Sequence, residues 1–195
     1  MGDTGSLQVF GVAGAGHGVG TTHFTILLAA YLSDVRHRKT TVLEWNENGD
    51  FARIAEVRGK GKKRTGTPGM FFIGSEEFMP SAGRRELLQC RERGREAVVI
   101  DFGVCRESIE EEFLGCDRRF ILGGVNDWQV GAFAAFAAKK RRVSADCLSA
   151  FGGETQRKLV ERFLGIRIGR IPWSPEAGLL TGELLRFFGR LLPPG

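Results

Sequence analysis

Tyrosine is nearly missing from this 195-residue chain, which holds Tyr31 alone beside 15 phenylalanines. The four cysteines, Cys90, Cys105, Cys116 and Cys147, form no C-x-x-C pair. Their spacing excludes a zinc knuckle and a disulfide framework and predicts reduced, mostly buried thiols. No apolar run approaches the roughly 20 residues that span a bilayer. The N-terminal MGDTGSLQVF lacks the basic-then-apolar layout of a signal peptide, so a cytoplasmic location is expected. No Pro/Ser-rich stretch separates two halves, and the length suits a single domain over residues 1–195. With 42% hydrophobic and 26% charged residues, wholesale disorder is excluded. The net charge of +5 permits contact with nucleic acid or anionic lipid without requiring either.

What is present is an alternation of short apolar runs with helical stretches, the pattern of an α/β protein with a doubly wound, mostly parallel sheet and helices on both faces. Six or seven strands are expected. Leu7–Val12 reads as the first, followed by the glycine-rich Gly14–Gly20. A helix is predicted over Thr22–Ser33, where Phe24, Leu27, Leu28 and Tyr31 recur at helical spacing. Thr40–Trp45 is a second strand, Phe51–Val57 a short helix and Arg58–Gly69 an exposed loop. Met70–Ile73 reads as a strand and Arg84–Gly94 as a helix. Ala97–Phe102 is an apolar strand buried on both faces. Ser108–Leu114, Asp127–Arg141 and Thr155–Phe163 are predicted helices, Arg119–Leu122, Cys147–Phe151 and Ile166–Ile171 strands, and Glu176–Leu192 the last helix.

A strand running into alternating glycines and then into a helix that opens Thr-Thr is the layout of a phosphate cradle. Glycines allow sharp turns that aim N–H groups at one point, and the helix N-terminus adds partial positive charge. Here the chain resembles the MinD/ParA family of P-loop ATPases, whose loop reads K-G-G-x-G-K-T-T. The best register places Gly16, His17, Gly18, Val19, Gly20, Thr21 and Thr22 on the motif, with Gly18, Val19, Gly20 and Thr22 matching. Both lysines are replaced, the leading one by Gly16 and the phosphate-contacting one by Thr21, and no lysine precedes Lys39. The resemblance continues in TTVLEWNENGDF, whose acidic positions fall on Glu44 and Asn46. It continues in REAVVIDFG, which sets Asp101 and Gly103 on the Walker B and switch II strand, and in IRIGRIPWSPE, similar to the strand and I-P loop near the nucleotide base. It implies a nucleotide site at Gly16–Thr22 for ATP, with Mg²⁺ held by Thr22 and Asp101.

These departures bear on the chemistry. Phosphoryl transfer is catalysed by positioning and charge stabilisation, and the family's P-loop lysine supplies much of the charge. Thr21 can donate a hydrogen bond but carries no charge. Gly16 cannot reach across a nucleotide-sandwich dimer, and an amide at position 46 is no base. The expected function is a non-hydrolysing scaffold or regulator, a pseudo-ATPase of bacterial type that works through a protein partner. Nucleotide binding and a dimer remain open, and no catalytic residue is assigned. One alternative is an active NTPase or phosphotransferase in which Thr21, Thr22 and Asp101 hold Mg²⁺–nucleotide and an arginine supplies charge. The other is a dinucleotide-binding Rossmann protein, for which Gly14, Gly18 and Gly20 have suitable spacing and Glu44 would face a ribose. Dehydrogenase chemistry lacks its Tyr-x-x-x-Lys pair, since Val35 stands four residues after Tyr31.

His17 and His23 flank the loop, where solvation is the plain expectation. The basic runs Gly61–Arg64 and Lys139–Arg142 lack interleaved aromatics and read as solvated charge rather than as a nucleic-acid interface. GELLRFFGRLL near the C-terminus resembles an amphipathic membrane anchor. In this fold the same helix covers the sheet, and core packing is the expectation.

Overall fold

The computed structural model describes residues 7–58, 69–140 and 144–193. The expected loop Arg58–Gly69 lies almost wholly outside the described residues, as do Gly61–Arg64 and the end of the Lys139–Arg142 run. In chain order the elements are β1 (Gln8–Gly14), α1 (Thr21–Ala30), β2 (Thr40–Glu44), α2 (Asp50–Arg58), β3 (Phe71–Ile73) and β4 (Glu76–Met79). They continue as α3 (Arg84–Glu92), β5 (Ala97–Val104), α4 (Glu110–Leu114), β6 (Arg118–Leu122), α5 (Val130–Lys140), β7 (Asp146–Ser149), α6 (Glu154–Leu164), β8 (Gly169–Arg170) and α7 (Gly182–Leu191).

The eight strands of the described residues form one sheet in the order β3-β4-β2-β5-β1-β6-β7-β8. Every pairing is parallel except β3 with β4. Alternation along the central strands sends side chains to two cores. Phe10, Val12, Val99 and Phe120 meet α1 and α7 on one face, where Phe24, Leu28, Leu184 and Phe188 are buried. Val9, Ile100, Phe102 and Ile121 meet α3, α4, α5 and α6, through Cys90, Phe113, Phe133 and Val160, while Phe51 of α2 joins the first face. The sheet is therefore doubly wound, with β1 and β5 at its centre.

Four elements differ from the sequence reading. The strand β4 was not expected, because Glu76 and Glu77 read as polar. Glu77 is nevertheless wholly buried, held by Arg93 at 2.8 Å, Arg95 at 2.7 Å and the Thr41 hydroxyl at 3.0 Å. The last helix starts at Gly182 rather than Glu176. Gly178 adopts φ +90°, which breaks a helix, and Thr181 then caps a fresh start by accepting the Leu184 N–H. Ile166–Ile171 shortens to two paired residues, Gly169 and Arg170. The first helix ends at Ala30 and continues as a wide π-type turn, Tyr31–Val35.

Core packing of α7 agrees with expectation: Leu184, Phe187, Phe188 and Leu192 lie in the core beside Phe24 and Tyr31. Cys90 and Cys116 are buried, and burial pushes their thiols up to about 11 and about 12. Half-buried Cys147 is raised to about 11 by the same cause. These thiols are inert near neutral pH. No described helix is long and apolar enough to cross a membrane.

Candidate functional site

The segment between β1 and α1 is a nest at the C-terminal end of the central strands, where open α/β sheets bind ligands. Gly18 has φ +68° and Gly20 φ +92°, left-handed conformations that let the loop double back. Gly14 sits where the loop folds tightly upon itself. A Cβ there would lie 2.6 Å from Thr21 Oγ1 and 2.9 Å from Val19 Cγ2, so no other residue fits without displacement. The Cys105 N–H donates to Gly14 O at 2.9 Å, stitching the end of β5 to the start of the loop.

Gly20 begins α1 without a side-chain cap, and the first intrahelical bond runs from the Phe24 N–H to Gly20 O at 2.9 Å. The N–H groups of Thr21, Thr22 and His23 therefore have no carbonyl behind them in the helix. All three residues line a cleft of about 210 Å³ together with Gly16, His17, Gly18, Val19 and Gly20. Backbone donors and the positive end of the helix dipole thus converge on a space of phosphate size. Asn48, Asp50, Gly103 and Val104 complete the wall.

No lysine or arginine lines this cleft among the described residues. Thr21 is buried with its hydroxyl packed back towards Gly14. Burial holds the His23 imidazole below its ordinary range, which disfavours a cation there. Asp50 adds a carboxylate to the wall, matched by an ion pair to Arg53 at 2.9 Å.

Asp101 comes up from β5 and is fully buried. Its Oδ1 accepts the Gly103 N–H at 2.9 Å, while Oδ2 has no partner of hydrogen-bonding geometry. Burial pushes the carboxyl up to about 6, against the favourable Thr22 hydroxyl and Gly103 N–H, and the Glu44 and Asp50 carboxylates raise it further. An orphaned, buried carboxylate oxygen beside a threonine hydroxyl is a donor pair that suits Mg²⁺, a hard cation that prefers oxygen ligands. Thr22 and Asp101, expected on resemblance to share that role, are thus brought together.

Glu44 lies opposite Asp101 in the β2–β5 register. It is buried, and its Oε1 accepts the Phe51 N–H at 3.0 Å at the start of α2. A carboxylate committed to capping that helix does not reach out to a ribose, as the dinucleotide alternative requires. Asn46 is held at both ends of its amide. Nδ2 donates to Asp101 O at 3.0 Å and Oδ1 accepts the Asn48 N–H at 2.9 Å. Asn46→Asp removes the donor and sets a carboxylate against the Asp101 carbonyl. A loss of about 1–2 kcal/mol in urea unfolding is expected, with no gain in phosphate release.

Sequence reasoning missed Asn48, Asp50 and Val104 as wall residues, because they reach the cleft only through the β2–β5–β1 order. It also missed Phe151, about half exposed, whose ring lies 3.6 Å from where a Gly20 Cβ would stand.

A sheet of this order with a glycine nest between its central strand and first helix has the layout of a P-loop α/β fold. No protein-family model matches the chain, and no curated protein matches it. Solved structures do. A ParA family ATPase from Chlorobium tepidum has a TM-score of 0.64 and 15% identity, covering 99% of this chain and 94% of its own. A putative plasmid partition protein from Borrelia burgdorferi, bound to AMPPNP, has a TM-score of 0.65 and 14% identity, covering 96% and 97%. A chain of the MinC:MinD cell division complex from Aquifex aeolicus has a TM-score of 0.60 and 12% identity, covering 92% and 85%. The chain therefore has the P-loop fold of the ParA and MinD ATPases, and at these identities the likeness is one of fold.

Proposed function

We propose that this chain is a cytoplasmic ParA/MinD-like pseudo-ATPase, a scaffold or regulator that holds Mg²⁺–ATP in the Gly16–Thr22 cradle without cleaving it at a useful rate. The observation that carries this reading is a cradle intact in its backbone, with Asp101 Oδ2 left open beside Thr22, and lined by no lysine or arginine among the described residues. Converging N–H groups suffice to bind phosphate oxygens. They do not replace the mobile charge that stabilises a departing phosphoryl group. Bound Mg²⁺ would neutralise phosphate charge, and Thr22 and Asp101 are the residues that would hold it. Asn46 contributes no general base, since its amide is spent on two backbone groups.

A protein that binds nucleotide without turnover acts through the shape it presents, so a protein partner is the expected output. The MinC:MinD complex and the AMPPNP-bound partition protein are neighbours in which a partner and a nucleotide occur. Dimerisation, if it accompanies nucleotide binding here, proceeds without a lysine at position 16. Calorimetric titration with ATP and Mg²⁺, paired with a phosphate-release assay, tests the reading. Binding with release at the buffer rate is expected. Turnover well above background that disappears in Asp101→Ala contradicts it, as does no heat at millimolar ATP.

A further inference from the structure

No lysine or arginine lines the cradle among the described residues, yet a triphosphate brings several negative charges to one place. The described residues hold one arginine suited to supply the missing charge. Arg106 follows Val104, which lines the cradle, by two residues, a distance of at most about 7 Å of extended chain. It lines a second cleft of about 610 Å³ with Trp45, Asn46, Ser81 and Ser108. Asn48 and Val104 belong to both walls, so the two clefts are neighbours. The chain just before Arg106 is fixed to the loop by the Cys105 N–H bond to Gly14 O.

The guanidinium itself is lightly held. It is 57% exposed, and Glu47, its ion-pair partner at 3.8 Å, is 92% exposed. A pair of that kind is worth little in water. Arg53, which also stands near the cradle, is already matched by Asp50.

Resting on the nucleotide-binding reading above, we infer that Arg106 is the triphosphate-sensing cation of this site: it leaves Glu47 and pairs with the terminal phosphate of a bound nucleoside triphosphate. A guanidinium forks two N–H groups onto phosphate oxygens, and a diphosphate lacks the terminal phosphate with which it would pair. Arg106 thereby sets specificity for triphosphate over diphosphate. It restores binding charge and leaves the absent base at position 46 unreplaced.

The test is calorimetric titration of the full chain with ATP, ADP and AMP in Mg²⁺, using the unaltered protein, Arg106→Ala, Arg106→Gln, Arg53→Ala and Arg106→Ala combined with Thr21→Lys. Both Arg106 variants are expected to bind ATP about tenfold more weakly or worse. ADP and AMP affinity and apo melting temperature should hold in both Arg106 variants, whereas Arg53→Ala, which leaves the Asp50 carboxylate of the wall unmatched, should weaken all three nucleotides alike. Thr21→Lys should recover the lost ATP affinity. Equal ATP affinity in the Arg106 variants overturns the inference while leaving the nucleotide reading intact. Equal losses for all three nucleotides in those variants overturn it in the same way, since they mark a structural role. Failure of the unaltered chain to bind any nucleotide overturns the reading itself, and this inference with it.

Discussion

Asp101→Asn, measured without metal at pH 7.5, is expected to melt higher than the unaltered chain and to lose its response to Mg²⁺–ATP. The folded chain holds the Asp101 proton more tightly than an ordinary carboxyl does, at about 6 against 3.8. Between those values the folded state binds more protons than the unfolded state, so stability falls as pH rises through that window. At about 1.4 kcal/mol per pH unit, the buried anion costs about 3 kcal/mol by neutral pH. An amide removes the charge and keeps an oxygen to accept the Gly103 N–H, at the expense of an unpartnered NH₂. A net gain of about 1–3 kcal/mol is expected. The gain should vanish near pH 4, where the native carboxyl is itself neutral. In the presence of Mg²⁺–ATP the order should reverse, because a carboxylate binds a hard cation much more strongly than a neutral amide does. A variant less stable than the unaltered chain at every pH would contradict the account of an uncompensated charge.

Glu77→Ala is expected to cost about 3 kcal/mol or more in urea unfolding. Glu77 is fully buried on β4 between Arg93 and Arg95, and Arg95 is itself largely buried. Removing the carboxylate leaves two guanidinium groups facing each other with no anion between them, and frees the Thr41 hydroxyl. Glu77→Gln keeps the hydrogen-bonding shape and should lose less. Equal losses in the two variants would show that charge, not hydrogen-bonding shape, holds this edge of the sheet. Neither variant should change nucleotide affinity, since Glu77 does not line the cradle.

The parts of the fold written locally in the chain were legible there. β1, the glycine loop and α1 follow from a strand pattern, Gly18 and Gly20 at positive φ, and helical spacing of Phe24, Leu27 and Leu28. The apolar Ala97–Phe102 reads as a central strand because both its faces are covered. β4 was hidden because a buried Glu77 makes sense only with Arg93 and Arg95, which arrive from another part of the chain. The true start of α7 was visible in principle, at the Thr181 cap after Gly178. At the site, resemblance pointed to Thr22 and Asp101. The constraint on Asn46, the commitment of Glu44 to α2, and the place of Arg106 beside the cradle depend on tertiary placement. Local spacing carries none of them.

The central claim is a nucleotide pocket that binds and does not cleave. Its most direct test is the identity of the nucleotide recovered from the protein after prolonged incubation with Mg²⁺–ATP and rapid removal of free ligand. The account predicts stoichiometric, intact ATP. Recovery of ADP formed on the protein would contradict it.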